Sequence, residues 1–450
     1  MSFSINHRVI YTLLSFVFII GGTIIAIGYA KGNYRITRQG FVPESGLLSA
    51  NSFPTGAQVI IDGKLVSATD DTIYLQPGEY DVEILKDGYS PWKKTLQIQR
   101  ELVTQTNAQL FPSTPGLQPL TFTGVQNVSV SPDGQSLIYY TASASAQTRN
   151  GLYLLSLNNN RFSLQSGPRQ ISETAPGFEL STAKMIWAPD SSEVLLISGD
   201  RQVLLDTSRK NELATLPDVG LRTRLLLSEW EEEMYLRERQ FLARFPLEVI
   251  AFATQSAKNV YISPDKERLL YTATASATLP PDLVPPVPSA NTQPESRTLE
   301  AGKIYVYDRI EDRNFEVGSE PLSSPSAALA TKPLLATDLS RRQALSLEAS
   351  PSAFRRLQAS TSAQTADLFN TYHSSLYADT FQWSPDSNLL LYAAGDRIQV
   401  KGYDNTNATT VYFGPFAQHF VYPWPDGSQL LILTSFSPDI PLNLYSVNLQ

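Results

Sequence analysis

The chain has 450 residues, 42% apolar and 10% aromatic, with a net charge of -8 and a pI near 5.1; this is enough to bury two or three domain cores and excludes a disordered protein. The acidic balance argues against a nucleic-acid partner, which needs clustered Lys and Arg to displace counterions from phosphates. With no Cys there is no disulfide, thiolate nucleophile, thiolate metal site or lipid-modified cysteine, and the three His (His7, His373 and His419) nearly exclude a multi-histidine metal site.

From Val9 to Tyr29 the sequence VIYTLLSFVFIIGGTIIAIGY carries no charged side chain, and a helix of that length crosses a hydrocarbon core of roughly 30 Å. Residues 1–30 are therefore expected to form an N-terminal transmembrane anchor, with 31–45 as a juxtamembrane segment. The rival reading is a cleaved signal peptide: Gly28-Tyr29-Ala30 has small residues where a signal peptidase reads, but such apolar regions run about 7–15 residues. Arg8 precedes the run while Lys31, Arg35 and Arg38 follow it. Counted over short flanks this favours a cytoplasmic C-terminal part, although large domains translocate largely regardless of flanking charge. The stub Met1–Arg8 is too short to hold a signalling domain.

Residues 46–110 hold alternating segments, AQVIIDG, TIYLQPGEYDVEILKDGYS and KTLQIQ, broken at Asp62-Gly63, Pro77-Gly78 and Asp87-Gly88. Asp-Gly supplies the positive φ of a tight hairpin, and Pro-Gly is expected to preset φ and then place a left-handed Gly in a type II turn. The period-two pattern makes Val59, Ile61, Val82 and Ile84 the inward residues. Pro54-Thr55-Gly56-Ala57, then Val59 to Gly63, Leu75 to Tyr80 and Gly88-Tyr89 follow one another in the order of the PEGA domain, which this segment resembles. That family is a small β-sandwich common on bacterial surface and membrane proteins. Ser67 to Asp71 departs from the family's usual Gly-x-Thr-Pro segment. The resemblance implies a fold and no catalysis.

After a Pro-rich linker at 111–119, one unit recurs five times: NVSVSPDGQSLIYYTA, KMIWAPDSSEVLLISG, NVYISPDKERLLYTAT, FQWSPDSNLLLYAAG and FVYPWPDGSQLLILTS. In each, a short apolar strand runs into a Pro-Asp turn (Pro132, Pro189, Pro264, Pro385, Pro425) and a second apolar strand follows. Pro sets φ at the first corner and Asp accepts from its own backbone downstream. A third strand follows three copies, at Gly151 to Leu157, Lys303 to Asp308 and Asn443 to Leu449. The prolines are 57, 75, 121 and 40 residues apart, so insertions interrupt a repeat of about 40–50 residues. The units resemble the SPDG-type, WD40-like repeats of β-propellers such as that of the periplasmic Tol-Pal component and those capping prolyl oligopeptidases. Residues 120–450 are expected to form about six blades, with five to seven allowed. A degenerate blade is placed near Leu334 to Leu347, and an outer strand for the last blade near Leu117 to Thr123.

Three insertions are expected. At 221–247, Ser228-Glu229-Trp230-Glu231 reads as a capping box opening one amphipathic helix, whose stripe Leu227, Trp230, Met234, Phe241 and Phe245 precedes a stop at Pro246. The stripe either packs on the propeller flank or docks a partner. At 278–301 six prolines favour extended or disordered chain. At 321–378, Ser, Ala and Thr dominate, with Arg341-Arg342 and Arg355-Arg356 in short apolar-basic patches.

No GxSxG, HExxH, P-loop or GxGxxG pattern occurs. The acidic turns at Asp133, Asp190, Asp265, Asp386 and Asp426 repeat because the turn repeats, which explains them better than metal binding. Trp187, Trp383 and Trp424 could stack on sugars as an aromatic ring or simply pack between blades, and Val130 and Ile262 fill the same site elsewhere. Asp404-Asn405-Thr406-Asn407 lacks the spacing of a Ca²⁺ loop and fits a hairpin turn. No catalytic, cofactor or metal residue is therefore assigned. The expected protein is mainly β: a transmembrane helix, a PEGA-like sandwich, then a propeller with a helical insertion. The expected role is non-enzymatic binding of protein or cell-wall polysaccharide by a single-pass cell-membrane protein with an extracytoplasmic ectodomain. The alternative is a hydrolase or lyase in the propeller channel, which would need His373 or His419 beside Asp or Glu.

Overall fold

The computed structural model describes residues 7–30, 34–37, 40–43, 45–157, 167–320, 381–418, 420–437 and 439–450. They form two compact units, Met1–Leu110 with Pro288–Gln293, and Phe111–Val287 with Pro294–Gln450.

In the first unit, helix α1 spans His7–Ala30, and Tyr11, Phe16, Phe18, Ile24 and Ile25 on it are all exposed. The part with described side chains, residues 11–27, is about 26 Å long at the helical rise, and among the described residues no helix is long and apolar enough to cross a membrane. After α1 comes a short antiparallel pair, Tyr34–Thr37 with Gly40–Pro43.

Two sheets follow. One is antiparallel, in the order Lys64–Ala68, Gln58–Ile61, Gly78–Leu85, Trp92–Ile98. The other places Gly46–Ala50 between Asp71–Leu75 and the parallel strand Val103–Gln105. Their inner faces share one core, including Leu48, Val59, Ile61, Ile73, Val82, Ile84, Leu96 and Ile98, so all four residues expected inside are inside. Asp62 and Gly63 both take positive φ, 49° and 75°, as a tight hairpin requires. Gly78 corrects the sequence reading: it opens the strand Gly78–Leu85 opposite Ile98 and is absent from the positive-φ glycines, because the ladder holds it extended. Part of the Pro-rich insertion belongs to this unit. Asn291 bridges Leu96, Gln97 N–H donates to the Ala290 carbonyl (2.9 Å), Thr292 Oγ1 to that of Thr95 (2.7 Å) and Gln99 Nε2 to that of Ser289 (2.9 Å). The outer edge of Trp92–Ile98 is thereby partly covered.

Among the described residues the second unit contains five antiparallel sheets of three or four strands. Sheet 1 holds Gln126–Val130, Ser136–Thr141, Gly151–Ser156 and Arg169–Glu173; sheet 2 holds Lys184–Trp187, Glu193–Ser198 and Arg201–Asp206. Sheet 3 holds Ala257–Ile262, Arg268–Ala273, Lys303–Asp308 and Arg313–Ser319; sheet 4 holds Phe381–Trp383, Leu389–Ala394, Arg397–Gly402 and Thr409–Phe413. Sheet 5 holds Val421–Pro423, Gln429–Thr434 and Asn443–Asn448, and its fourth strand is Leu117–Pro119, paired with Asn443–Asn448. Part of the expected 111–119 linker is thus an outer strand, and Phe111 is buried between sheets 4 and 5. The expected blade near Leu334 to Leu347 lies outside the described residues, as does the insertion at 321–378.

Four pairs of sheets share cores. Sheets 5 and 1 share Leu137, Tyr139, Leu431 and Leu433; sheets 1 and 2 share Ile138, Tyr140, Val194 and Leu196; sheets 3 and 4 share Val306, Phe315, Trp383 and Leu390; sheets 4 and 5 share Leu391, Val400, Leu430 and Ile432. Between sheets 2 and 3 stand two helices, α2 (Gly220–Leu242) and α3 (Leu247–Gln255). Leu227, Trp230 and Met234 of α2 pack on Ile186 and Leu195 of sheet 2, and Phe245 with Val249 and Phe252 of α3 packs on Leu269, Tyr271 and Tyr305 of sheet 3. The stripe therefore packs on the unit's own sheets.

Two expectations about this insertion are corrected. Ser228 lies inside α2, which begins at Gly220, eight residues before the apparent capping box; Asp218 Oδ1 accepts the Gly220 N–H at 2.7 Å. Pro246 separates two helices, with its carbonyl accepting the Ile250 N–H (3.0 Å). The 278–301 insertion is tied down at its base: Ala277–Thr278 pairs with Thr298–Leu299, Leu283 N–H donates to Asp312 Oδ2 (2.9 Å), and Arg297 pairs with the same carboxylate (3.3 Å).

Candidate functional site

Each sheet of the second unit has a turn end and a loop end, because every first strand runs into its Pro-Asp turn. In all five turns the Asp Oδ1 accepts the N–H two residues on: Gln135 (2.9 Å), Ser192 (3.0 Å), Glu267 (3.0 Å), Asn388 (3.1 Å) and Ser428 (2.9 Å). The residue after each Asp is left-handed, Gly134 and Gly427 in two copies but Ser191, Lys266 and Ser387 in the others. Asp190 is held below its ordinary carboxylate range by the Ser192 N–H and then by the Ser192 hydroxyl. Turns of neighbouring sheets also bond to each other: the Asp133 N–H donates to Ser191 Oγ (3.3 Å) and the Asp265 N–H to Ser387 Oγ (2.9 Å). These carboxylates are structural. Among the described residues no group of three or more His, Cys, Asp or Glu could hold a metal ion.

The tryptophans face neighbouring sheets. Trp187 Nε1 donates to Ser129 Oγ of sheet 1 (3.0 Å) and Trp383 Nε1 to the Tyr261 carbonyl of sheet 3 (3.2 Å). Trp424 stands one position nearer its Pro-Asp turn, and a shift of one along a strand reverses the face; it packs on Leu137 and Tyr139 across the opposite flank of its sheet. All three are buried, so no exposed aromatic ring forms. Asp404 to Asn407 is the expected turn, with Asp404 Oδ1 accepting from Thr406 Oγ1 (2.6 Å). His373 and His419 lie outside the described residues, and of the side chain of His7 nothing is described.

At the loop end, the connections around sheet 5 adjoin. Val125 N–H donates to the Leu442 carbonyl (2.7 Å), Thr121 Oγ1 to Asn443 Oδ1 (3.1 Å) and Thr434 Oγ1 to the Pro415 carbonyl (2.5 Å). These bonds tie residues 120–125, 414–417 and 435–442 together. On them, or at the strand end beside them, stand Phe122 (78% exposed), Phe413 (67%), Phe436 (57%) and Ile440 (55%), and Asp439 is the one charged residue of the three segments. Single exposed apolar residues are ordinary, whereas several stand on these adjoining loops, with Asp439 beside Ile440 and the Arg397 guanidinium 5.6 Å over the Phe413 ring. These residues carry no periodic signal, and the Gly and Pro beside them read simply as loop.

Two charged features lie inside the unit. Arg268, 14% exposed, pairs through Nε with Asp308 (2.7 Å), which is 1% exposed. It also reaches Asp265 and the Ser387 carbonyl and lies 3.9 Å above the Tyr403 ring, spanning sheets 3 and 4. Lys401 Nζ bonds the Val317 carbonyl and Asn405 Oδ1 over the Phe381 ring, and burial pushes it down to about 8.

Comparison with known proteins gives one family match: a model described as PEGA domain covers residues 45–114. No curated protein matches the sequence. Among solved structures, the chain is similar to a putative TolB from Agrobacterium tumefaciens (12% identity, 72% of this chain and 78% of that one, TM-score 0.20). It is also similar to TolB from Acinetobacter baumannii (10% identity, 82% and 59%, TM-score 0.19). An oligogalacturonate lyase from Vibrio parahaemolyticus aligns as well (10% identity, 87% and 98%, TM-score 0.25). TM-scores this low carry no inference about architecture or role, which rest on strand pairing and side-chain placement. The PEGA match and the mainly β fold agree with an envelope-associated protein.

Proposed function

We propose that this is a non-enzymatic, single-pass membrane protein of the cell envelope, in which a PEGA-like sandwich and a five-bladed β-propeller stand outside the membrane on α1. The cores shared by four pairs of sheets support the propeller, with α2 and α3 in the place of a sixth blade and Leu117–Pro119 joining the two ends of the unit in sheet 5. The apolar run Val9–Tyr29 supports the anchor. The binding role rests on one observation: the exposed apolar residues Phe122, Phe413, Phe436 and Ile440 on adjoining loops. A protein partner fits this surface better than a polysaccharide, because its exposed side chains are apolar and offer sugars few hydrogen bonds.

A photo-crosslinking residue at 436 in intact cells tests the binding role. A discrete protein adduct, lost in Phe122→Asp, is expected; no adduct, together with co-sedimentation on purified cell-wall polysaccharide that survives Phe122→Asp, overturns it. For topology, protease added to intact cells should digest the ectodomain, and full protection overturns the outside location.

A further inference from the structure

The two sheets of the sandwich turn different faces to the outside. In the three-stranded sheet Val103 stands opposite Leu47 and Leu47 opposite Tyr74; because Leu48, Ile73 and Thr104 are buried, that row lies on the outer face. Two residues along the same face come Gln105, Ser49 and Thr72. None of these six side chains is charged. On the outer face of the four-stranded sheet, by contrast, stand Glu79, Asp81, Glu83 and Lys93, opposite in direction to the buried Val82, Ile84, Trp92 and Leu96. Val103 is 59% exposed and Tyr74 41%. Leu102, also exposed, adjoins this row through its carbonyl, which accepts the Leu47 N–H (3.0 Å). On the same loop Arg100 and Glu101 pair at 3.6 Å and are neutral together. The apolar row sits where the chain enters from α1, since Gly46 and Leu47 open the central strand of the sheet.

Area decides what covers this face. Its three strands have at most five residues each and present about 14 by 17 Å, on the order of 240 Å², against about 800 Å² per partner in a stable protein interface. A bilayer that already holds α1 needs no such area, because a tether makes the contact intramolecular. The tether is short. Tyr34 stands opposite Pro43, so the path from Ala30 to Gly46 is four chain steps, the width of one strand pair and three further steps, at most about 30 Å. We infer that the outer face of the three-stranded sheet rests on the membrane interface beside α1. Val103, Leu47 and Leu102 then meet the acyl boundary, and the Tyr74 ring lies among the headgroups, where amphipathic aromatic rings concentrate. The inference rests on the anchored reading of α1 and is independent of the loop cluster.

The chain has no Cys, so Phe18→Cys, Lys93→Cys and Val103→Cys each give one attachment point for an environment-sensitive NBD fluorophore. The full-length variants are reconstituted into phosphatidylcholine vesicles containing a lipid with a doxyl quencher high on its acyl chain. Labels at positions 18 and 103 should be quenched roughly twofold or more, while the label at 93 behaves as in water. Tyr74→Asp, in a variant whose thermal unfolding matches the parent's, should remove the quenching at 103 and leave that at 18. Quenching at 18 with none at 103 overturns the inference and leaves the anchor standing. Equal quenching at 93 and 103 overturns it as well, since this face then has no preference for the bilayer, and so does quenching at 103 that survives Tyr74→Asp. No quenching at 18 overturns the anchored reading and this inference together.

Discussion

The sandwich and the five-sheet unit are both mainly antiparallel β-structure, yet their strands are written differently. In the sandwich, Gly46–Ala50 alternates strictly between buried and half-buried, and Gly78–Leu85 alternates along its second half. In the five-sheet unit, Ser136–Thr141, Arg268–Ala273 and Gln429–Thr434 each bury five consecutive residues. The cause is the number of covered faces: a sandwich sheet meets a core on one side and water on the other, whereas each second strand of the repeat has a core on both. Charge follows the same division. The sandwich carries ion pairs in water, such as Lys93–Glu83, while the five-sheet unit seals Arg268–Asp308 between sheets.

The sharpest way to break this contrast is to cut one pair of each kind. Arg268→Ala strands the buried Asp308 carboxylate and should cost about 3–5 kcal/mol; Lys93→Ala should cost at most about 1 kcal/mol. Urea unfolding read by Trp383 fluorescence for the first, and by Trp92 for the second, distinguishes them, and equal losses would show that the buried pair is solvated. Neighbouring residues give the next largest effect. Leu430→Ala and Leu431→Ala should each cost about 2–5 kcal/mol, because each empties a different core. In the sandwich Ile84→Ala should cost about as much, while Glu83→Ala stays within about 1 kcal/mol. A mild Leu430→Ala would mean that sheet 5 has one open face.

The same contrast explains what the sequence disclosed. Alternation at Val59, Ile61, Val82 and Ile84 located the inward face of the sandwich, and five Pro-Asp turns located the sheets, because both signals are local. Gly78 misled because the ladder overrode a turn dipeptide, and Ser228 because a capping pattern has no force inside a helix already begun at Gly220. The exposed loop residues stayed hidden: Phe122, Phe436 and Ile440 are apolar residues in Gly- and Pro-rich connections, and only the pairing of residues 117–119 with the last strand brings them together. That Trp424 faces away from the flank used by Trp187 and Trp383 was legible in its spacing from the Pro-Asp turn, one residue shorter.

The Pro-Asp turns predict a smaller effect, repeated across the five-sheet unit. Asp426→Ala removes acceptance from the Ser428 N–H and hydroxyl and should cost about 1 kcal/mol; Asp426→Asn, which keeps an acceptor, should recover most of it. No recovery in thermal unfolding would place the turn's stability in Pro425 and Gly427 instead.

The last effect is a pH dependence. Lys401 has exchanged water for the Val317 carbonyl, Asn405 and the Phe381 ring, and burial is the cause of its fall from 10.5 to about 8. Among the described residues no carboxylate compensates, so between pH 8 and 10.5 the unfolded chain holds a proton that the folded chain has released. Stability must then rise with pH through that window, and the cost of burying the ammonium is fully present below it. The buried tyrosines act oppositely at higher pH. Burial raises Tyr271 and Tyr403 above their ordinary value of 10.0, so the folded state resists their ionisation and loses stability beyond about pH 10. The readable interval is therefore pH 8 to 10. Urea midpoints measured across it should climb in the parent chain and stay flat in Lys401→Met, which fills the same space without a charge. A climb that persists in the variant would assign the dependence to another group and return Lys401 to ordinary solvation.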